Sequence, residues 1–418
     1  MILEKGDSKI ATSRVLDAQG AQEIEKATNV INQFTKLLSQ EMAHLENKIV
    51  LSSGDVVMRD LDGEFVEKNK TIEVTIPPVI TPVSFTDGDT ITPINYAEQK
   101  RAVTLDVMYT ADLAFSSDDL TQALERGYSP QIRSCVVGLR QIIDTYMAGI
   151  IYKGAYAYGG TSGTTPDGMD DIAGAELLLN LNKAPEENRH FVVDATAKSK
   201  LIQLDSFKNF SASGSTEGLR KSSMGEKYGF NMLSTNNIPT HTAGGYTALA
   251  DVTGTVVVSN NSTMTDGTPY SSIVLTSSAG TSTATLLVGD LMTFENEAGV
   301  DQKAIVLETT ASAISGVVTA KISPAQTGAT TANAVTFPDV TARSSVRNLA
   351  IQKGAVVLAS RPLTPYPDKT SISISTPEGI PLRLTFDSNT LAKTTYISVD
   401  CLIKGVVVRP ELLATWLG

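Results

Sequence analysis

The sequence predicts an α+β chain interrupted by an all-β insertion, and three observations carry that prediction. The stretch from Ser129 to Lys153 repeats apolar residues at helical spacing. Period-two alternation marks extended chain before it, at 71–76, and long after it, at 372–386. Between about Gly244 and Ala342 helical periodicity nearly vanishes, and Thr, Ser, Ala and Val dominate. At 418 residues the chain is long enough for two or three domains with an ample core. Its net charge of −11 argues against a general nucleic-acid binder, which carries a basic face. It is compatible with a container wall that should not stick to DNA.

From about Asp17 to Asn47, Ile24, Ala27, Ile31, Phe34, Leu38 and Leu45 fall on one helical face. Such a helix either docks on its own domain or acts as an arm on another subunit. Residues 50–107 read as a long two-stranded excursion. Thr71–Ile76 alternates as a half-buried strand, Pro77, Pro78 and Pro82 deny ladder donors, and Asp87-Gly88-Asp89 signals a turn. Val103, Leu105 and Val107 mark the returning strand. A hairpin this long is marginal alone and needs a surface to lie on. A short helix is expected from Asp118 to Glu125, and then the long one. Ser129 suits its N-cap, Pro130 its first turn and Gly154 its stop. In that helix Ile142 is expected in mid-stripe, so Ile142→Asp is expected to abolish the folded subunit.

Gly154 to Gly163 is Gly-rich but lacks the Lys-Ser/Thr of a phosphate-cradling loop, so a flexible loop is expected. Asp171–Leu181 reads as a helix. His190–Asp194 reads as a buried strand leading into a helix from Ala195 to Leu204. Ser206–Lys221 reads as a mobile stretch, and Gly225–Leu233 as a turn and strand. From about Gly244 to Ala342, short strands recur at roughly ten-residue spacing between Gly, Asn and Asp turns, the pattern of a β-barrel or sandwich. Leu286, Phe294, Ile305, Leu307 and Val317 are its expected core. Strands return at Ala355–Ala359, at 372–386, and as a pair between Tyr396 and Val408.

This order of parts resembles the major capsid proteins of tailed bacteriophages, which share the HK97 fold. Within that family it looks most like the P-twenty-two-type coat proteins, which carry an inserted β-barrel. Arg59-Asp60 through Phe65, with the strand to Ile76-Pro77, is similar to the start of the family's extended E-loop. Ser129 to Tyr152 is similar to its spine helix. The run from Gly225 to Pro239 resembles the A-domain strand and turn before the insertion, and Gly405 to Glu411 the closing strand. The resemblance implies an N-terminal arm at 1–49, the E-loop hairpin at 50–107 and a P-domain with its spine at 108–168. It implies an A-domain at 169–248 and 343–395, the insertion at 249–342, and C-terminal P-domain strands at 396–418.

The resemblance also implies a structural role, with many copies forming an icosahedral shell around a double-stranded DNA genome. Its implied partners are copies of itself as hexamers and pentamers, a separate scaffolding protein, a portal, and DNA through weak non-specific contact. Its implied place is the virion, after assembly in the host cytoplasm. Candidate intersubunit contacts are Ile31, Phe34, Leu38 and Leu45 on the arm, and Arg59, Asp60, Phe65, Lys68 and Lys70 on the excursion. Some relatives crosslink a loop lysine to a neighbour's asparagine. P-twenty-two-type relatives do not, so Lys68 and Lys70 are expected to be solubilising charges.

The residues themselves argue against an enzyme. His44, His190 and His241 lie far apart, and no HExxH, GxSxG or paired-cysteine metal spacing occurs. Asp118-Asp119 and Asp170-Asp171 each open an expected helix, where a carboxylate favours the positive end of the dipole. Cys135 and Cys401 are expected to pack as small hydrophobes. No cofactor and no metal is expected. No apolar run approaches the ~18 residues of a membrane span, so no membrane partner is expected. The alternatives are a β-rich surface-layer or adhesin-type protein, which needs an export signal, and a hydrolase with a binding insertion, which needs a convergent site.

Overall fold

The long helix runs from Ser129 to Lys153, the bounds its periodicity predicts. In the computed structural model the described residues are 51, 53–76, 99–116, 129–209, 217–245, 256–258, 262–264, 269–276, 285–295, 301–309, 317–325, 330–332, 335–340, 343–375, 379–389 and 394–418. The expected arm helix, the hairpin tip at 77–98 and the short helix from Asp118 to Glu125 lie outside them.

The helix has partners on two sides. It packs on the strands Val107–Ser116 and Thr394–Val407 of one sheet, and on Ser344–Gln352 and Leu413–Leu417 of another. Cys135, Leu139, Ile143, Met147 and Ile151 are all buried at steps of four residues. Each such step advances about 40°, so the buried face winds slowly around the helix. Ile142 falls behind that face, about 60° from Leu139 on the side away from Ile143, and is 41% exposed. The expected burial of Ile142 is therefore corrected. An aspartate there stays solvated, and Ile142→Asp should leave a soluble subunit within about 1 kcal/mol of the parent in a urea melt. Loss of soluble subunit would contradict this placement.

Asp144 shows the opposite behaviour, being fully buried. Its carboxylate accepts from the Leu51 backbone amide at 3.3 Å and the Asn237 side-chain amide at 3.4 Å. One helix residue thereby ties together two segments remote in sequence.

The first sheet has six strands. Thr394–Val407 is its long centre, paired antiparallel with Val107–Ser116 along ten residues of each strand. Pro381–Asn389, Thr370–Ser375, Val356–Ser360 and Met58–Leu61 complete it. The expected strand pair at 396–408 is thus one strand. Gly405 does not break it; it permits close approach to the helix, since a Cβ there would lie 2.8 Å from the Met147 sulfur. The returning strand of the hairpin is also corrected. Gln99–Thr104 pairs with Thr71–Ile76, and Val107 opens a separate strand.

The second sheet has seven strands around Ser344–Gln352. Arg189–Val193, buried throughout, lies beside it and pairs in parallel with Phe230–Ser234. Asp194 then caps the helix Ala195–Leu201, its carboxylate accepting from the amides of Thr196 and Ala197. The Gly-rich loop after the long helix holds a strand, Ala157–Gly159, paired in parallel with the C-terminal Leu413–Leu417. Local sequence could not show this, because the partner lies about 250 residues away. The last strand therefore belongs to the second sheet, whereas 396–407 belongs to the first. The expected mobile stretch at 206–221 begins and ends in short helices, Asp205–Lys208 and Glu217–Lys221, anchored by buried Phe207.

The insertion enters and leaves at one place. Thr242 pairs with Ser344, and the Ala243 amide donates to the Arg343 carbonyl at 2.7 Å. Ends held this close let a module of about 100 residues sit in a surface connection at little cost to its host. Its strands form one antiparallel sheet. Thr330–Ala332 and Val335–Thr336 lie at opposite ends of that sheet's strand order. Three peptide units separate Ala332 from Val335 and span at most about 11 Å, so these ends of the two strands lie close together. Leu286, Met292, Phe294, Val306, Val318 and Ile322 fill its own core. Ile305 and Leu291 instead join the core of the main body, and Leu307 lines an open groove. Ile305 and Leu307 are therefore corrected as members of the inner core, and the side chain of Val317 lies outside the described set. Expressed alone, residues 244–342 should give an antiparallel β circular-dichroism spectrum and a cooperative melt. The melt should fall below that of the whole protein, because Leu291 and Ile305 become exposed. A disordered spectrum would show that these strands need the body to fold.

Candidate functional site

Two features could carry function: the surface around the hairpin, and the polar junction that holds the insertion. The hairpin strands Thr71–Ile76 and Gln99–Thr104 form a two-stranded sheet of their own. Val74, Val103 and Leu105 bury one face against Val357, Ala359 and Leu402 of the first sheet. Thr71, Glu73, Thr75, Lys100, Ala102 and Thr104 on the other face are exposed. Period-two alternation is what permits this split, and the anchored base supports a pair of strands that would be marginal alone.

The candidate contact residues fall in different settings. Ile31, Phe34, Leu38 and Leu45 lie outside the described residues. Arg59 and Asp60 sit on the strand Met58–Leu61, which pairs in parallel with Val356–Ser360. The Asp60 carboxylate is engaged within the chain by Arg361 at 2.8 Å. Phe65 is 53% exposed, and Lys68 and Lys70 are exposed beside Asn69, which turns with φ 70°. Phe65, Lys68 and Lys70 are thus each exposed, and Asp60 lies in an internal pair. Sequence reasoning could not find Arg361, whose partner lies 301 residues away.

The junction is a buried polar cluster. His241 Nε2 lies 2.8 Å from Asp290 Oδ1, and His241 Nδ1 lies 3.3 Å from the Tyr152 hydroxyl. This arrangement has the outline of a catalytic relay but lies in the interior. Tyr152 and His241 are at most 6% exposed and Asp290 is fully buried. Asp290 also accepts from the amides of Leu287 and Gly244, and burial raises the Tyr152 hydroxyl pKa. The contacts run between the end of the long helix, the strand entering the insertion and a turn inside it. Their chemistry is orientation of the insertion. Beside them Tyr158 hydrogen-bonds Thr293, Lys303 donates to the Tyr158 carbonyl, and Asp339 accepts from Ser162, Ser345 and Arg347.

Among the described residues no group of three or more His, Cys, Asp or Glu could hold a metal ion. Asp171 acts as the cap expected of it, accepting from the amides of Asp167 and Gly168 at 3.0 Å. His190 lies in a buried strand, and burial lowers its pKa. Both thiols are buried, and burial pushes the Cys401 thiol up to about 12 and raises that of Cys135. A thiolate-dependent reagent should therefore label neither cysteine in the folded subunit and both in urea. Labelling of either in the native state would contradict its burial.

No family model matches the sequence, and no curated protein matches it. Among solved structures, the chain is similar to one from Mycobacterium phage Che8, at 14% identity, covering 87% of this chain and 94% of that one with a TM-score of 0.40. It is similar to a chain in the asymmetric unit of the bacteriophage PhiM1 mature capsid, at 10% identity, 88% and 86% coverage and a TM-score of 0.43. It is also similar to a chain in the head structure of Helicobacter pylori bacteriophage KHP40, at 10% identity, 86% and 88% coverage and a TM-score of 0.41.

Proposed function

We propose that this chain is a structural subunit of a closed protein shell, the major capsid protein of a tailed bacteriophage, and that it is not an enzyme. The observation that carries the reading is the hairpin. Its two strands pair only with each other among the described residues, its base is packed on the first sheet, and its outer face is polar and open. A pair of strands with one anchored face and one open polar face suits a subunit that meets a neighbour; a soluble monomer gains little from it. The rigid helix bridging two sheets and the insertion clamped at one point suit the same role. Both hold a fixed shape under many repeated contacts. In this reading the chain forms hexamers and pentamers, is guided by a separate scaffolding protein, meets a portal at one vertex, and touches packaged DNA only weakly. It assembles in the host cytoplasm and ends in the virion.

Negative-stain imaging of the purified protein tests this, with hydrogen exchange on free and assembled states. Rings or shells are expected, with residues 71–76 and 99–104 more protected in the assembly. Uniform monomers under all assembly conditions would overturn the reading. Equal protection in both states would remove the hairpin from the interface.

A further inference from the structure

We propose that neighbouring copies join by a knob and a groove: the exposed segment Asp62-Gly63-Glu64-Phe65 of one copy seats in the groove beside the C-terminal end of the long helix of the next. This rests on the shell reading above and names the surfaces that reading leaves open.

The knob is preorganised. On one side it leaves the strand Met58–Leu61, which is paired to Val356–Ser360. On the other it meets Val66, which is 5% exposed, donates its amide to the Pro362 carbonyl and accepts from the Thr364 amide. Between these anchors all four residues are exposed. The segment therefore presents an aromatic ring beside two carboxylates, and little ordering is lost when it docks. An exposed phenylalanine carries the apolar area expected of an interface anchor.

The groove is its complement. It has a volume of about 580 Å³. Val103, Ile150, Val406 and Val407 form apolar walls, and Val288 and Leu307 of the insertion close one side. Arg101, Lys153 and Lys404 stand around it. Asp106 pairs with Lys404 at 2.7 Å, the Arg101 guanidinium donates to the Val407 carbonyl, and Lys153 is exposed, so the groove's lining holds cations and no carboxylate. An apolar floor with a cationic rim selects an apolar tip with acidic shoulders, and the knob has that composition. Complementary charge steers such encounters and fixes their register. Knob and groove are different patches of one chain, so the contact is heterologous and repeats head to tail, which closes a ring when the rotation allows.

The test places a photoreactive benzoylphenylalanine at position 65 in the full chain. It is co-assembled with an excess of isotope-labelled wild-type subunits, irradiated, and mapped by mass spectrometry. Crosslinks from position 65 to labelled peptides around Val103, Ile150 or Val407 are expected. Particles whose crosslinks fall elsewhere, or within the same chain, overturn the knob-and-groove contact and leave the shell reading intact. A wild-type protein that never forms oligomers overturns both. A charge exchange gives an independent measurement: Glu64→Lys should lower assembly yield roughly tenfold, and adding Lys153→Glu to the same chain should restore it. Unchanged assembly in Glu64→Lys, or no recovery in a double variant that melts like wild type, also overturns the contact.

Discussion

Asp339→Ala is expected to cost the folded subunit about 3–5 kcal/mol, read as a lower urea midpoint at unchanged slope. Arg347 is fully buried and its guanidinium meets Asp339 Oδ2 at 2.6 Å. The Ser162 and Ser345 hydroxyls satisfy the other carboxylate oxygen. Arg347 Nε and one terminal nitrogen find no partner among the described residues, so this carboxylate is the main compensation for a buried charge. Removing it leaves the guanidinium in a low-dielectric site with no route to water. Removing both charges should be far milder. Arg347→Met with Asp339→Leu is expected to stay within about 2 kcal/mol of the parent. A single variant as stable as wild type would mean that Arg347 is solvated after all. The pair joins the end of the insertion to the central strand of the second sheet. The same variant should therefore loosen the insertion, seen as faster hydrogen exchange at residues 291–306 than the global loss of stability accounts for.

Trp416→Ala is expected to cost about 3 kcal/mol, measured by circular dichroism. Trp416 is the sole tryptophan of the chain, and its ring fills a slot between the strand Ala157–Gly159 and the helix Met169–Leu181. A Cβ at Gly159 would lie 2.3 Å from that ring, and one at Gly174 2.4 Å from it. The indole nitrogen donates to Asp171 at 3.2 Å. Because the slot is bounded by glycine backbone, few neighbouring side chains can move in to fill the void. Gly174→Ala attacks the same contact from the other side. It should displace the ring, cost about 1–3 kcal/mol and shift the fluorescence of the folded state. Normal stability in Trp416→Ala would show that this packing contributes little and that the C-terminal strand is held by its backbone pairing alone.

Local chemistry by itself determined the elements whose signals are local. The long helix from Ser129 to Lys153 is written in its spacing and its stopping glycine, and it occurs with those bounds. The strand Arg189–Val193 running into a capped helix, the hairpin strand Thr71–Ile76, and the change to an all-β module near Gly244 were legible for the same reason. Each depends on periodicity, turn residues or composition within a short window. What tertiary structure decided are the partners. Ser344–Gln352, the centre of the second sheet, carries Arg347 and Asn348 at positions that are completely buried. There the Asp194 amide and the Trp416 carbonyl satisfy Asn348, and the Asp339 carboxylate engages Arg347 through one terminal nitrogen. Ala157–Gly159 is too short to declare itself as a strand and exists through its pairing with Leu413–Leu417, which in turn is held along its length by Ser344–Gln352. Ile142 is exposed against expectation, and Asp144 is buried, because a helix packed against two sheets winds its buried face. A polar residue can then be enclosed where two remote segments supply its hydrogen bonds, while an apolar one is left in water.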